Sequence, residues 1–273
     1  MKYELDIIKR NFFRILRSGA LNEYEGLEPM SAYKWNKLTS LVMAQGVEDI
    51  AQKGLRNHTF DAQANFPRTL IDELNTGETD APLQNKTYAP RLSNRLLNRR
   101  LRKIQQGERH QMDASMTTLD LLNIIVANVN QILNRGISLS LIAELGSFLR
   151  TRGDKVDFVK LENWLQQLHI QRMAQLQGSI LISVFEFEKE EIPFVNNVEP
   201  QAYGLILRTL NHTANDTTEE WHFRQSRTGF VQNNSRIMRR NLRRSIRYIN
   251  YAPIETISNF FGNFARSLSE IEE

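Results

Sequence analysis

Apolar residues return at intervals of three and four along most of the chain: Leu5, Ile8, Phe12 and Ile15, then Trp35, Leu38 and Val42, then Leu161, Trp164, Leu165 and Leu168. That interval keeps side chains on one face of an α-helix, and strand-like alternation is nearly absent. Gly19, Gly46, Gly136 and Gly153 follow periodic segments, where a helix end favours a residue of positive φ, and Pro67 suits a first turn. The pattern predicts an all-α chain of about nine or ten helices in an orthogonal, bundle-like array. No internal repeat stands out; the likeness between the Trp35 and Trp164 segments is too short to define one.

The periodicity fails between Thr76 and Pro90, "TGETDAPLQNKTYAP", where Gly, Pro, Thr and Asn cluster as in a linker. A basic amphipathic helix, "RLSNRLLNRRLRKIQQ", is expected next, with Leu92, Leu96 and Ile104 among its apolar positions, followed by a second irregular stretch, "GERHQMDAS". Residues 76–116 therefore look like a joint within a single helical domain spanning 1–273, in which helices of 1–75 and 117–273 pack together. Trp35, Trp164, Phe12 and Phe13 are expected to be shared core, being too large and apolar to leave in two small separate bundles.

Composition narrows the function classes. A chain of 273 residues with 41% hydrophobic and 24% charged residues has the balance of a soluble protein, and no apolar run approaches the ~18 residues of a membrane span. The first sixteen residues lack the unbroken apolar core of an export signal. The absence of cysteine excludes disulfides, thiolate nucleophiles and cysteine-based zinc sites, and suits a reducing cytoplasm, the expected location. A net charge of +4 is too mild by itself to demand a nucleic-acid partner.

The most suggestive chemistry is "GSFLRTRGDKVDF", Gly146 to Phe158, a Gly-Ser pair ahead of Asp154 and Asp157. Nucleotidyltransferases hold a triphosphate on such a turn and bind Mg²⁺ through D-x-D on a strand, because alternation places residues i and i+2 on one face. Here the spacing is D-x-x-D, which a strand would split between its faces. Asp157 precedes "FVKLENWLQQL", a helical pattern, so it is expected to cap that helix, with Val156 and Leu161 as the hydrophobic pair around the cap and Asp154 in the preceding turn. A second pair, Gly178 and Ser179, lies in a helical pattern ahead of Glu186, Glu188, Glu190 and Glu191, where surface or helix-end roles are expected. His58, His110, His169, His212 and His222 stand apart without metal-binding spacing, which predicts surface or interhelical roles. There is no G-x-S-x-G elbow, Walker loop or Gly-rich dinucleotide turn.

Three stretches carry a family resemblance: "FFRILRSGALNE" with "YKWNKLTSLVMAQGVEDIAQKGL"; the long segment from "LLNIIVANVNQ" to "FEFEKEEIPF"; and "RRNLRRSIRYINYAPIET". Together they cover a little under half of the chain, and they resemble the helices flanking the catalytic domain of an uncharacterised bacterial nucleotidyltransferase family. The resemblance implies a polymerase-β-like module between the first and second stretches, yet residues 76–116 are too few and too basic to form one. Where that family tends to carry histidines, this chain has Asn123 and Ala127; where it carries Arg and Asp, this chain has Ser140 and Glu144. The resemblance thus implies a non-catalytic relative, with no cofactor and no metal, that acts as an interaction or regulatory partner, for example of a complete nucleotidyltransferase. A divergent metal-dependent enzyme using Glu144, Asp154 and Asp157 is a further alternative.

Another alternative rests on charge. In "RIMRRNLRRSIRYINY", Arg236, Arg240, Arg243 and Arg247 follow one helical face, with Arg239 and Arg244 beside them. Met238, Leu242, Ile246 and Ile249 form the opposing stripe, expected to dock and leave the guanidiniums outward. The arginines then either pair with some of the 31 acidic residues or bind an anionic ligand, nucleic acid or other polyanion, with Tyr248 and Tyr251 as stacking surfaces.

Overall fold

The computed structural model describes residues 6–61, 64–67, 69–74, 90–108, 115–211 and 233–269, and for 115, 233–238 and 266–269 the backbone alone. Twelve α-helices and two short 3₁₀ turns make up these residues, with no strand among them. The all-α prediction holds, and the small excess in number includes the five-residue helix Thr69–Glu73. The expected linker 76–90 lies outside the described residues except for Pro90, as do Leu5, His110, His212 and His222.

The first helix, α1 (Ile7–Leu21), packs closely on α3 (Glu48–Asn57) and also against α7 (Leu139–Arg152), while α2 (Ala32–Gln45) lies beside both α1 and α3. Gly19 does not end α1, as its position in the pattern suggested: it lies inside the helix, and Asn22 (φ 58°) terminates it. A Cβ on Gly19 would stand 1.9 Å from the Ile50 carbonyl oxygen, and one on Gly54 would stand 2.1 Å from the Ile15 carbonyl oxygen. Missing side chains, not turn conformation, explain these two glycines.

After α1 the chain runs extended to the start of α2, and two asparagines hold it. Asn11 accepts from Glu28 N–H (2.9 Å) and donates to its carbonyl (2.7 Å). Asn65 does the same for Met30, at 3.0 and 3.1 Å. These side-chain amides take the place of a neighbouring strand and pair the backbone polar groups of Glu28 and Met30, where the segment tucks Leu27 and Met30 into the core.

After the short α4 (Thr69–Glu73), α5 (Arg95–Glu108) is the predicted basic helix, but it buries Leu97 and Leu101 and leaves Leu96 outside. Asn94 caps it by accepting from the N–H groups of Leu96 and Leu97. The axis of the core is α6 (Ser115–Asn134), which contacts α5, α7, α8 (Phe158–Gln167) and α9 (Gln171–Val184). Among the described residues, Met116–Asn134 is the one stretch long and apolar enough to meet the length and composition of a membrane span, which the sequence reading did not find; more than half of that window is buried in the protein. Between α6 and α9, the buried Asn128 donates to Gln177 Oε1 (3.0 Å), and Gln177 donates to the Ile125 carbonyl (3.2 Å). Helix α10 (202–211) follows α9, and the described chain closes with α11 (Asn233–Tyr248) and α12 (Pro253–Ser269). Trp35, Phe12, Phe13 and Trp164 are buried in the core, as predicted.

Candidate functional site

The Gly-Ser and aspartate stretch forms a helix junction. Gly146 lies inside α7, where a Cβ would press on Leu181 and Phe187. Gly153 takes right-handed helical angles (φ −56°) and opens the 3₁₀ turn Gly153–Lys155, contrary to the positive φ expected of it. Asp154 is exposed in that turn. Asp157 caps α8: its Oδ1 accepts from Lys160 N–H at 2.9 Å, and its own N–H donates to Thr118 Oγ1 at 2.9 Å. Gly178 and Ser179 are buried within α9, Gly178 facing Val195. Glu188 and Glu191 form a reciprocal cap on the turn Lys189–Glu191.

No group of three His, Asp or Glu side chains among the described residues is arranged to hold a metal ion. Glu144 is exposed on α7, Ser140 pairs with Ser138 at 2.8 Å, and Asn123 accepts from Gln105 at 3.0 Å. His169 is exposed, with φ 54°. His58 is fully buried, which rules out the surface alternative for it, and neither ring nitrogen has a hydrogen-bond partner.

Two arginine-bearing helices have opposite fates. On α1, Arg10, Arg14 and Arg17 face the extended segment and are ion-paired: Arg10 to Glu28 (2.7 Å), Arg14 to Glu25 (2.6 Å) and Glu28 (2.8 Å), Arg17 to Glu25 and to Glu186 (3.2 Å). The Arg10 guanidinium holds the Glu28 carboxyl below the ordinary range. Burial raises Glu25, but Arg17 and Arg14 outweigh it and leave the carboxyl lowered. This cluster was missed in the sequence because its acidic partners follow in an unpatterned stretch.

On α11, Arg239, Arg240, Arg243 and Arg247 are exposed, and none makes an ion pair with a carboxylate among the described residues. Arg244 turns inward and donates to the Asn134 carbonyl at the end of α6. The side chain of Arg236 lies outside the described residues, as does that of Met238.

The apolar stripe expected to dock α11 does not do so: Leu242 is 43% exposed and Ile246 63% exposed. The helix instead turns Asn241, Arg244, Ser245 and Tyr248 toward the protein. The tyrosines are not free for stacking either. Tyr248 is buried, and Tyr251 is buried beneath the Arg172 guanidinium, which lies 5.1 Å from its ring centroid. Burial pushes the Tyr248 hydroxyl up, with Arg247 and Arg244 pulling the other way.

Helix α12 shows the same inversion. Its inner face carries Glu255, Thr256 and Asn259, all buried. Glu255 accepts from the N–H groups of Ser93 and Asn94 ahead of α5, Asn94 donates to Ser258 Oγ (2.9 Å), and Asn263 donates to Asn134 Oδ1 (3.1 Å). Burial raises the Glu255 carboxyl, and the two backbone donors offset part of that rise. Its outer face carries Ile254, Ile257, Phe261 and Phe264, all exposed. The helix pair therefore spends its polar groups on the body and presents arginine and apolar side chains outward. No protein-family model, no curated protein and no solved structure matches this chain.

Proposed function

We propose that the chain is a non-catalytic helical interaction protein that engages an anionic partner through the outer face of α11. The observation that carries this reading is the contrast between the two arginine helices. The arginines of α1 are consumed by Glu25, Glu28 and Glu186, whereas Arg239, Arg240, Arg243 and Arg247 stand exposed without a carboxylate among the described residues. A row of guanidiniums at helical spacing suits phosphate or carboxylate groups, which the planar fork binds bidentately. Kinship with the nucleotidyltransferase family, carried by the resemblance of the flanking stretches, belongs to the same proposal and supplies its non-catalytic part.

The test is binding of the full chain to a labelled single-stranded oligothymidylate and to inorganic polyphosphate across a salt series. Affinity is expected to fall steeply with salt, and the triple variant Arg240→Gln, Arg243→Gln, Arg247→Gln to bind more weakly, with a log-log salt slope on the oligonucleotide shallower by about 2. Its melting temperature should stay close to the parent's, because these side chains are exposed and only Arg247 reaches a buried group, the Tyr248 hydroxyl. Salt-insensitive binding, binding unchanged in the triple variant, or a triple variant that melts early while still binding would each overturn the reading.

A further inference from the structure

Helices normally turn their apolar stripe to the body and their polar face to water. The C-terminal pair does the reverse. Ile254, Ile257, Phe261 and Phe264 recur along the outer face of α12, with Ile257 47% and Phe261 62% exposed, and Leu242 and Ile246 on α11 are outward as well. Arg244 and Asn263 both bond Asn134, so the two helices rest on the same end of α6 and their outer faces turn away from it. An apolar patch of this kind, beside polar residues, marks a contact surface.

Its chemistry narrows the occupant. Glu255 is the only carboxylate between 233 and 269, against seven arginines, and it is buried at the start of α5. Among the described side chains, guanidiniums and hydrocarbon remain outward, while the amide and hydroxyl groups of α12 that would give directional recognition, Thr256, Ser258, Asn259 and Asn263, are turned inward or bonded to the body. A bare polyanion such as polyphosphate makes no use of phenylalanines, and a single strand, whose bases stack on aromatic rings, makes none of Ile254 and Ile257. A surface that is anionic at its boundary and hydrocarbon just beneath uses both, and long arginine stems let the charge reach the headgroups while the apolar row sits deeper.

Resting on the anion-binding reading above, we infer that the outer face of α11 and α12 docks on an anionic phospholipid surface as a peripheral anchor, Ile254, Ile257, Phe261 and Phe264 entering the headgroup boundary and Arg239, Arg240, Arg243 and Arg247 meeting lipid phosphates.

The full chain is sedimented with vesicles of phosphatidylcholine alone and of phosphatidylcholine with phosphatidylglycerol. Binding to the mixed vesicles is expected at least about tenfold tighter than to the neutral ones. The double variant Ile257→Ser, Phe261→Ser is expected to lose about tenfold or more on the mixed vesicles while keeping its oligothymidylate affinity. Because the chain has no cysteine, an environment-sensitive fluorophore on Phe264→Cys reports insertion directly. Its emission should shift to the blue with mixed vesicles, while the same label on Val159→Cys, exposed on α8, should not shift. A parent that binds oligothymidylate but not mixed vesicles overturns the lipid inference and leaves the anion-binding reading standing. A parent that binds neither overturns both. Undiminished vesicle binding by the double variant, or a blue shift at Phe264→Cys that needs no vesicles and grows with protein concentration, assigns the face to something other than lipid and sinks the inference.

Discussion

His58 is enclosed, with the Tyr24 ring 4.8 Å away and Asp61 Oδ2 4.0 Å from Nδ1, and neither nitrogen is hydrogen-bonded. Burial lowers its pKa, and the Asp61 charge only partly opposes this. The folded imidazole therefore resists a proton that the unfolded chain accepts near its ordinary pKa of about 6.5. Its contribution to stability is fully present above that value and is lost as pH falls through it toward the depressed folded pKa. The melting temperature should begin to drop as pH falls below about 6.5. His58→Phe should flatten this part of the profile; an unchanged acid slope in the variant would place the titration elsewhere. At the same scale, the Asp157 cap was legible because a cap is a local event, an aspartate directly ahead of a periodic segment. His58 was not legible, since five scattered histidines look alike until the fold encloses one of them.

Helix α1 crosses α3 with backbone nearly touching backbone, and Gly19 and Gly54 make that approach possible. A methyl group at either position meets a carbonyl oxygen that belongs to a packed helix, so relief requires the helices to separate. Gly54→Ala should cost stability at the upper end of the roughly 1 to 3 kcal/mol typical of overpacking. By contrast Gly107→Ala, at an exposed position in the last turn of α5 with nothing within 4 Å, should gain up to about 0.5 kcal/mol from helix propensity. Chemical denaturation of the two variants checks both signs, and equal effects would remove the close-approach account. Most helices, including α5 and α11, were readable from apolar spacing. The role of Gly19 was not, because a glycine near the end of a periodic segment carries the same signal whether it stops the helix or lets another one pass.

Buried side chains of α1, α6, α7 and α9 belong to one apolar core, and Arg17 on α1 donates to the Val184 carbonyl at the end of α9 at 3.0 Å. If the parts before 76 and after 90 hold together through these contacts, a protease site placed within 76–89 should yield two fragments that still comigrate under native conditions and unfold in one transition. Clean separation would instead define two independent domains. The sequence by itself determined that the chain is helical and where most helices run, because a period of about 3.6 residues, caps and breakers act within a few residues. It also marked α11 as amphipathic. Only the tertiary structure decided which side of α11 faces inward, and it chose the polar side there and on α12, which the sequence pattern had not singled out. Amphipathicity describes a helix, whereas docking depends on the surface that receives it. The end of α6 and the start of α5 offer the carbonyl and amide of Asn134 and the backbone donors of Ser93 and Asn94. Those groups are satisfied by Arg244, Asn263 and Glu255, so the apolar residues and the remaining arginines are left outside.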